Sequence, residues 1–464
     1  MKVKIESSKI VKPLYDDGTA APPPGAGGEW SPLSVFDKVT YTEHVALIYA
    51  FRPPSPPNSD LELGLAKALA VYREMAGRLG DGPDGLGRSV HLNDAGARFV
   101  EASVDGPLAA SLPLLVRPSP VLKRLHPSSI DDDDGRPAEE LVLVQLTRFS
   151  CGSLVLGFAG HHQIADGQSA GNFLVAWGLA TRRISPVAPA PVCDRATRFA
   201  PRDPPLVAFP HRETEYKLPP LQAKKKHETD EDDDEEEFAE TAAHEKVKVH
   251  KMHLSKEFVA RLKARAAAAS SSRGTRRFRA SWRTSGGGDH AARGLGRRRG
   301  ARKVRISVSG RTRMRPPVPR DGYFGNLVLW AFPRADAGDL VARPLGHAAE
   351  LVRAAVAAVD DAYFRSFVDF ASSGVVEAEG LVPTADSDQT ALCPNLELDT
   401  WLGINFCDLD FGGGCPFYFM PTYFPMEGSL FLAPSFLGDG GMEAYVSLFD
   451  NHLEEFKKIC YKIA

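Results

Sequence analysis

Large apolar residues fall at every second position over Leu154, Leu156 and Phe158, a period that predicts a half-buried strand, and this strand runs straight into His161 and His162. Beyond the sharp Asp166-Gly167 step, Phe173, Leu174 and Trp177 recur at helical spacing, so a helix is expected to start at Gly167. Upstream, Val3, Ile5, Ile10 and Val11 suggest an opening strand, and the apolar run Val45 to Phe51 is closed by Pro53-Pro54. Leu61, Leu65, Ala68, Leu69, Tyr72 and Ala76 recur every three to four residues, which predicts a core helix with Asp60 as N-cap and Gly77 as its end. Val90 to Val100 reads as two short strands around Asn93-Asp94-Ala95-Gly96, and Leu141 to Leu146 should pair with Leu154 to Phe158 across Cys151-Gly152.

Between Asp194 and Glu245 the apolar periodicity lapses, and Lys224 to Lys226 precede an unbroken acidic run from Asp230 to Glu237. Such a run is ordinarily a solvated loop, the alternatives being a cation-binding or partner-binding role. Periodicity resumes with a strand from Val247 to His253 and a helix capped by Ser255. Two helical stretches, Asp339 to Val359 and Ala362 to Ser373, lead into a β-rich end over Leu396 to Asn405, Gly414 to Met420 and Ser429 to Leu437. The pattern is mixed α and β. It divides into 1–194, a crossover linker at 195–245, and 246–464.

Composition narrows the class more than the activity. A chain of 464 residues, 43% hydrophobic and 25% charged, is that of a soluble protein long enough for two or three cores. There is no basic tail or zinc-finger spacing to suggest nucleic acid, no apolar leader, and no run of about 18 apolar residues, so a cytoplasmic, monomeric protein away from membranes is expected. Six cysteines without a CxxC pair read as free thiols, favouring neither thiol catalysis nor a metal site.

His162 is the candidate general base, since a neutral imidazole at a strand end is a proton acceptor near pH 7. A structural histidine bonded to backbone, or part of a metal site, are the other readings of these residues alone. The string His161-His162-Gln-Ile-Ala-Asp166-Gly167 resembles the active-site motif of the plant BAHD family of CoA-dependent acyltransferases. Asp410-Phe411-Gly412-Gly413-Gly414 resembles that family's Asp-Phe-Gly-Trp-Gly signature, with glycine in place of tryptophan at 413. Leu33-Ser34-Val35-Phe36-Asp37, Ala76-Gly77-Arg78-Leu79 and the stretch from Pro316 to Asn326 extend the resemblance over nearly the whole chain.

The resemblance implies two chloramphenicol-acetyltransferase-like domains with a channel between them. In that scheme acyl-CoA enters as a substrate, with no cofactor or metal, and His162 deprotonates the acceptor. It also implies that Asp166 pairs with Arg311 as a structural ion pair, the alternative being a relay to the histidine. Trp401 matches a tryptophan that could donate to the oxyanion or simply pack, and Asp410 and Gly412 are expected to hold a turn near the CoA channel. The Gly413 variant resembles the amine-acylating branch that includes agmatine, putrescine and tryptamine N-hydroxycinnamoyltransferases. Acylation of an alcohol is the alternative. A charged amine tail needs a carboxylate, and Glu397, then Asp399, are the candidates because alternation puts both on the face that carries Trp401. Their other reading is as solvent-facing strand residues.

Residues 273–302 do not fit. They hold ten arginines, seven glycines and one acid, too little apolar surface for the core helix that the resemblance puts here. Such an excess is what a GC-rich gene gives when read out of frame. The segment is expected to be exposed and poorly ordered, and an inactive product is the corresponding alternative for function, since each buried apolar residue lost costs about 2–5 kcal/mol.

Overall fold

The computed structural model describes the chain except residues 16–28, 84, 86, 116–117, 128–137, 185–186, 188–189, 220–245, 269–300, 320–321, 386–391, 393–394 and 463–464. The acidic run and nearly all of the arginine-rich segment therefore lie outside the described residues. Ala301 and Arg302 do not: they open the strand Ala301–Ser309 and pair with Asp336 and Ala335.

Two large sheets dominate. The first has six strands in the order Lys4–Val11, Ala97–Val104, Val142–Phe149, Leu154–His161, His44–Phe51 and Tyr418–Pro421. Its centre is the hairpin read from the sequence, with Val144 opposite Phe158 and the turn at Cys151-Gly152. Val142–Phe149 and Leu154–His161 are buried over most of their length, and on one face Phe158 meets Phe173 of the helix Gly167–Thr181, which packs in turn on the helix Asn58–Val71. The first of these helices takes Pro57, not Asp60, as its N-cap, and gives way at Tyr72 to a short 3-10 turn, Arg73–Ala76. The strands flanking Asn93 to Gly96 do not pair with each other. Gly87–His91 joins Trp30–Pro32 and Arg78–Gly82 in a small sheet, while Ala97–Val104 enters the large one.

The second sheet runs Val247–Leu254, Met442–Phe449, Ser429–Pro434, Leu396–Thr400, Ala301–Ser309 and Val328–Ala331, with Arg334–Asp336 also pairing Ala301–Ser309. Helices Lys256–Ala268, Leu345–Ala358, Asp361–Ala371 and Asp450–Ile459 accompany it. The stretch expected as one helix from Asp339 to Val359 is two, Ala337–Ala342 and Leu345–Ala358, because Pro344 cannot donate the backbone bond that continuity needs.

The sheets interlock. Tyr418–Pro421, from the second half of the chain, pairs with His44–Phe51 at the edge of the first sheet. Trp401, Phe406, Leu409 and Phe411 belong to the first core, whereas Phe36 and Val39 belong to the second. Each half thus closes the other's core, and the interface between them holds the candidate site. Among the described residues no helix is long and apolar enough to cross a membrane.

Candidate active site

The strand Leu154–His161 is buried through Ala159 and emerges at His161, which lies opposite His44. The two rings meet edge-on at 5.0 Å, and His161 Nδ1 accepts the Gln163 backbone N–H at 3.3 Å. Burial, then the nearby His44 and His162, push the His161 pKa down to about 3.

His162 is the first residue past the strand. Its N–H donates to Glu43 O (2.9 Å), its carbonyl accepts from Asn326 Nδ2 (2.8 Å), and its Nδ1 lies 3.2 Å from Thr40 Oγ1. The ring is half-buried and stands edge-on to Tyr41 at 5.8 Å. Burial lowers its pKa against the opposing fields of Asp166 and Glu397, so the imidazole is neutral at pH 7.

Thr40 and Tyr41 are delivered by the short helix Val35–Lys38, which opens with a reciprocal capping box between Ser34 and Asp37. The buried Asp37 also pairs with Arg195 at 2.9 Å and accepts from the Asn326 backbone and side chain at 2.8 and 2.9 Å. Asn326 therefore couples this helix to the His162 backbone.

Asp166 turns away from the imidazole. It caps the helix Gly167–Thr181 through Ser169 N (3.0 Å), accepts from Leu327 N (3.1 Å), and forms a two-pronged ion pair with Arg311, one arm at 3.0 Å. Arg311 also donates to Ser169 Oγ and Gly325 O. Burial alone would raise the Asp166 pKa; the Arg311 charge and these hydrogen bonds outweigh it and the pKa is lowered.

On the other side of Tyr41 stands an acidic pair. Arg305 lies in parallel register with Glu397, and Ser307 donates to Asp399, so period two puts all four side chains on one face while Leu396 and Leu398 enter the core behind. Tyr41 Oη donates to Glu397 Oε1, and Arg305 Nη1 lies 3.6 Å from Glu397 Oε2. Glu397 is buried and already engaged, whereas Asp399 is half-buried. Burial, then the Glu397 charge, push Asp399 up to about 7, and burial together with Glu397 keeps the Tyr41 phenol protonated.

Trp401, 9% exposed, continues the same face but sits in an aromatic cluster with Phe406, Phe419 and Phe431 at 5.4 to 5.8 Å. Asp410 Oδ1 accepts from Gly412 N (2.7 Å) and Gly414 N (2.9 Å), and both glycines have positive φ, 108° and 97°. At Gly413 a Cβ would stand 2.1 Å from Pro54 O, so this chain's backbone leaves no room for the family's tryptophan.

Among the described residues no group of three or more His, Cys, Asp or Glu is placed to hold a metal ion. Cys151, Cys193, Cys407, Cys415 and Cys460 are unbridged, and Cys393 lies outside the described residues.

Sequence reasoning missed Thr40, Tyr41 and Arg305. The Ser34/Asp37 capping box marked the first two. Arg305 is a charge alternating with Val304, Ile306 and Val308, a pattern obscured by the arginine-rich stretch just before it.

The Transferase family model matches residues 1–463. A putrescine hydroxycinnamoyltransferase of Oryza sativa subsp. japonica is 52% identical, covering 100% of both chains. Agmatine hydroxycinnamoyltransferase 1 of the same organism is 50% identical, covering 99% of each. The crystal structure of vinorine synthase shares the fold, with TM-score 0.68 and 22% identity over 99% of this chain and 100% of that one.

Proposed function

Since the chain belongs to the Transferase family of BAHD acyltransferases, we propose that it transfers a hydroxycinnamoyl or benzoyl group from CoA to the nitrogen of a cationic amine such as agmatine or putrescine. The observation that carries the reading is a neutral imidazole, His162, separated by the width of one tyrosine from the paired carboxylates of Glu397 and Asp399. A base beside an anionic face suits an acceptor that must lose a proton at one end and keep a positive charge at the other. The relatives' names, which specify putrescine and agmatine, support the same choice.

With Nδ1–H donating to Thr40 Oγ1, Nε2 of His162 is the acceptor for the amine proton. The amine nitrogen attacks the thioester carbonyl, the tetrahedral intermediate collapses, and the C–S bond breaks. The thiolate leaves with the proton held by His162, so amide and CoA thiol are the products and no acyl-enzyme forms. Asp166 takes no part in proton transfer in this scheme. Its role is to lock the His162 turn to Arg311, and the Asp410–Gly412 turn shapes the neighbouring wall. Trp401 is assigned to the oxyanion, supported by its position on the same face as the carboxylates. The reading includes a monomeric cytoplasmic enzyme, checked by gel filtration and cell fractionation.

The test is to incubate the purified protein with coumaroyl-CoA and a panel of agmatine, putrescine, tryptamine and several alcohols. Amide products from the cationic amines are expected. Ester formation without amides would replace this reading with O-acylation, and the absence of any product would favour the inactive alternative.

A further inference from the structure

We propose that Arg305 fixes the net charge of the acceptor half of the site at minus one, and thereby selects acceptors that keep a single positive charge while their reacting nitrogen is neutral. The inference rests on the amine-acylating reading above. With a cationic acceptor in place, whose charge favours the ionised form of Asp399, Glu397 and Asp399 bring two negative charges to one face of the sheet, and Arg305, in register with Glu397, returns one positive charge. Arg305 is fixed, not a mobile gate. Its Nη2 donates to Thr384 O at 2.9 Å, its Nη1 to Tyr41 Oη at 3.4 Å, and its guanidinium lies over the rings of Trp330 and Phe332 at 5.4 and 5.9 Å. Lys303, two positions earlier on the same strand face, is exposed to solvent, where its field is screened.

Charge counting then orders the acceptors. Once the reacting nitrogen has lost its proton, agmatine keeps one cation in its guanidinium and putrescine one in its second ammonium. Tryptamine keeps none and leaves the acidic face uncompensated. A linear triamine such as spermidine keeps two and brings an excess positive charge beside Arg305. Arg305 is thus a specificity-determining residue that acts by subtraction: without it the same two carboxylates match a dication.

The experiment measures kcat/KM for putrescine, agmatine, spermidine and tryptamine with coumaroyl-CoA in the wild-type protein and in Arg305→Gln, Arg305→Lys and Glu397→Gln. Arg305→Gln should shift the spermidine-to-putrescine ratio toward spermidine by about tenfold or more, the scale of relieving a like-charge contact. Arg305→Lys, which keeps the charge, should stay within about threefold of wild type. Glu397→Gln removes one negative charge and should shift the balance the opposite way, toward tryptamine. If Arg305→Gln does not fold, that opposite shift carries the test. An unchanged spermidine-to-putrescine ratio in folded Arg305→Gln, or no shift toward tryptamine in Glu397→Gln, overturns the role of Arg305. A wild-type protein that acylates none of the four amines instead removes the reading on which it rests.

Discussion

His211 and His162 each have a ring nitrogen near a hydroxyl, in opposite surroundings. His211 is 1% exposed; its Nδ1 lies 2.9 Å from Glu215 Oε2 and its Nε2 2.9 Å from Ser366 Oγ, the carboxylate, imidazole and hydroxyl order of a hydrolase triad. Yet the remaining bonds point inward. Ser366 Oγ also accepts from the Ala208 and Phe209 N–H groups, Glu215 accepts from Tyr363 Oη, and Tyr363, Phe367 and Phe370 wall the imidazole in. This constellation ties the crossing segment to the helix Asp361–Ala371. His162 has a weaker-looking arrangement, a threonine hydroxyl and a carboxylate that faces elsewhere, but it is half-buried at the interface between the sheets. Full satisfaction of the polar groups makes His211 structural, and access distinguishes His162.

Asp166→Asn gives the largest test of that contrast in stability. Asparagine can still cap the helix, but Arg311 is left as a buried charge without its counter-ion, which costs about 3–5 kcal/mol. Chemical denaturation should show that loss. A protein of wild-type stability and reduced kcat would instead make Asp166 a relay. Because the Asp166 pKa is lowered in the folded protein, its contribution is present above the ordinary carboxylate pKa and lost as pH falls through the folded value, so the acid limb of the stability curve should flatten in the variant.

Next in size, His211→Ala should lower stability by about 2–3 kcal/mol by leaving Glu215 and Ser366 unsatisfied. Its kcat, measured below the unfolding transition, should match wild type. A large loss of kcat in fully folded His211→Ala would abolish the distinction between the two histidines.

At neutral pH the smallest effect is that of His161, which acts only as the solution is acidified. Its folded pKa of about 3 lies below the ordinary 6.5, so the unfolded chain binds the extra proton, and stability falls as pH drops from 6.5 toward 3 and then levels off. His161→Asn should remove up to about 1.4 kcal/mol of that decline per pH unit, measured as the change in unfolding free energy across the window. An unaltered slope would mean that His161 is not held neutral by burial.

The parts of the fold that were legible in the sequence are those set by local periodicity. The Leu154–His161 strand, its hairpin partner and the helix from Gly167 follow from residues within a few positions of one another. The face shared by Glu397 and Asp399 followed from alternation alone. What could not be read depends on distant pairing. Tyr418–Pro421 is buried on both faces, so its own pattern does not say which sheet it joins. Glu397 looked like an unclaimed carboxylate because Tyr41 and Arg305, which engage it, are 356 and 92 positions away. His211, Glu215 and Ser366 were hidden in the same way: the first two lie in a stretch without apolar periodicity, and the serine is 155 residues further on.

The assignment of the base is tested most directly by the rate of amide formation from coumaroyl-CoA and agmatine in His162→Ala and His161→Ala proteins at equal folded concentration. His162→Ala should lower kcat by about 100-fold or more with an unchanged Tm, and His161→Ala by less than about tenfold. Equal losses in the two variants, or a wild-type kcat in His162→Ala, would contradict it.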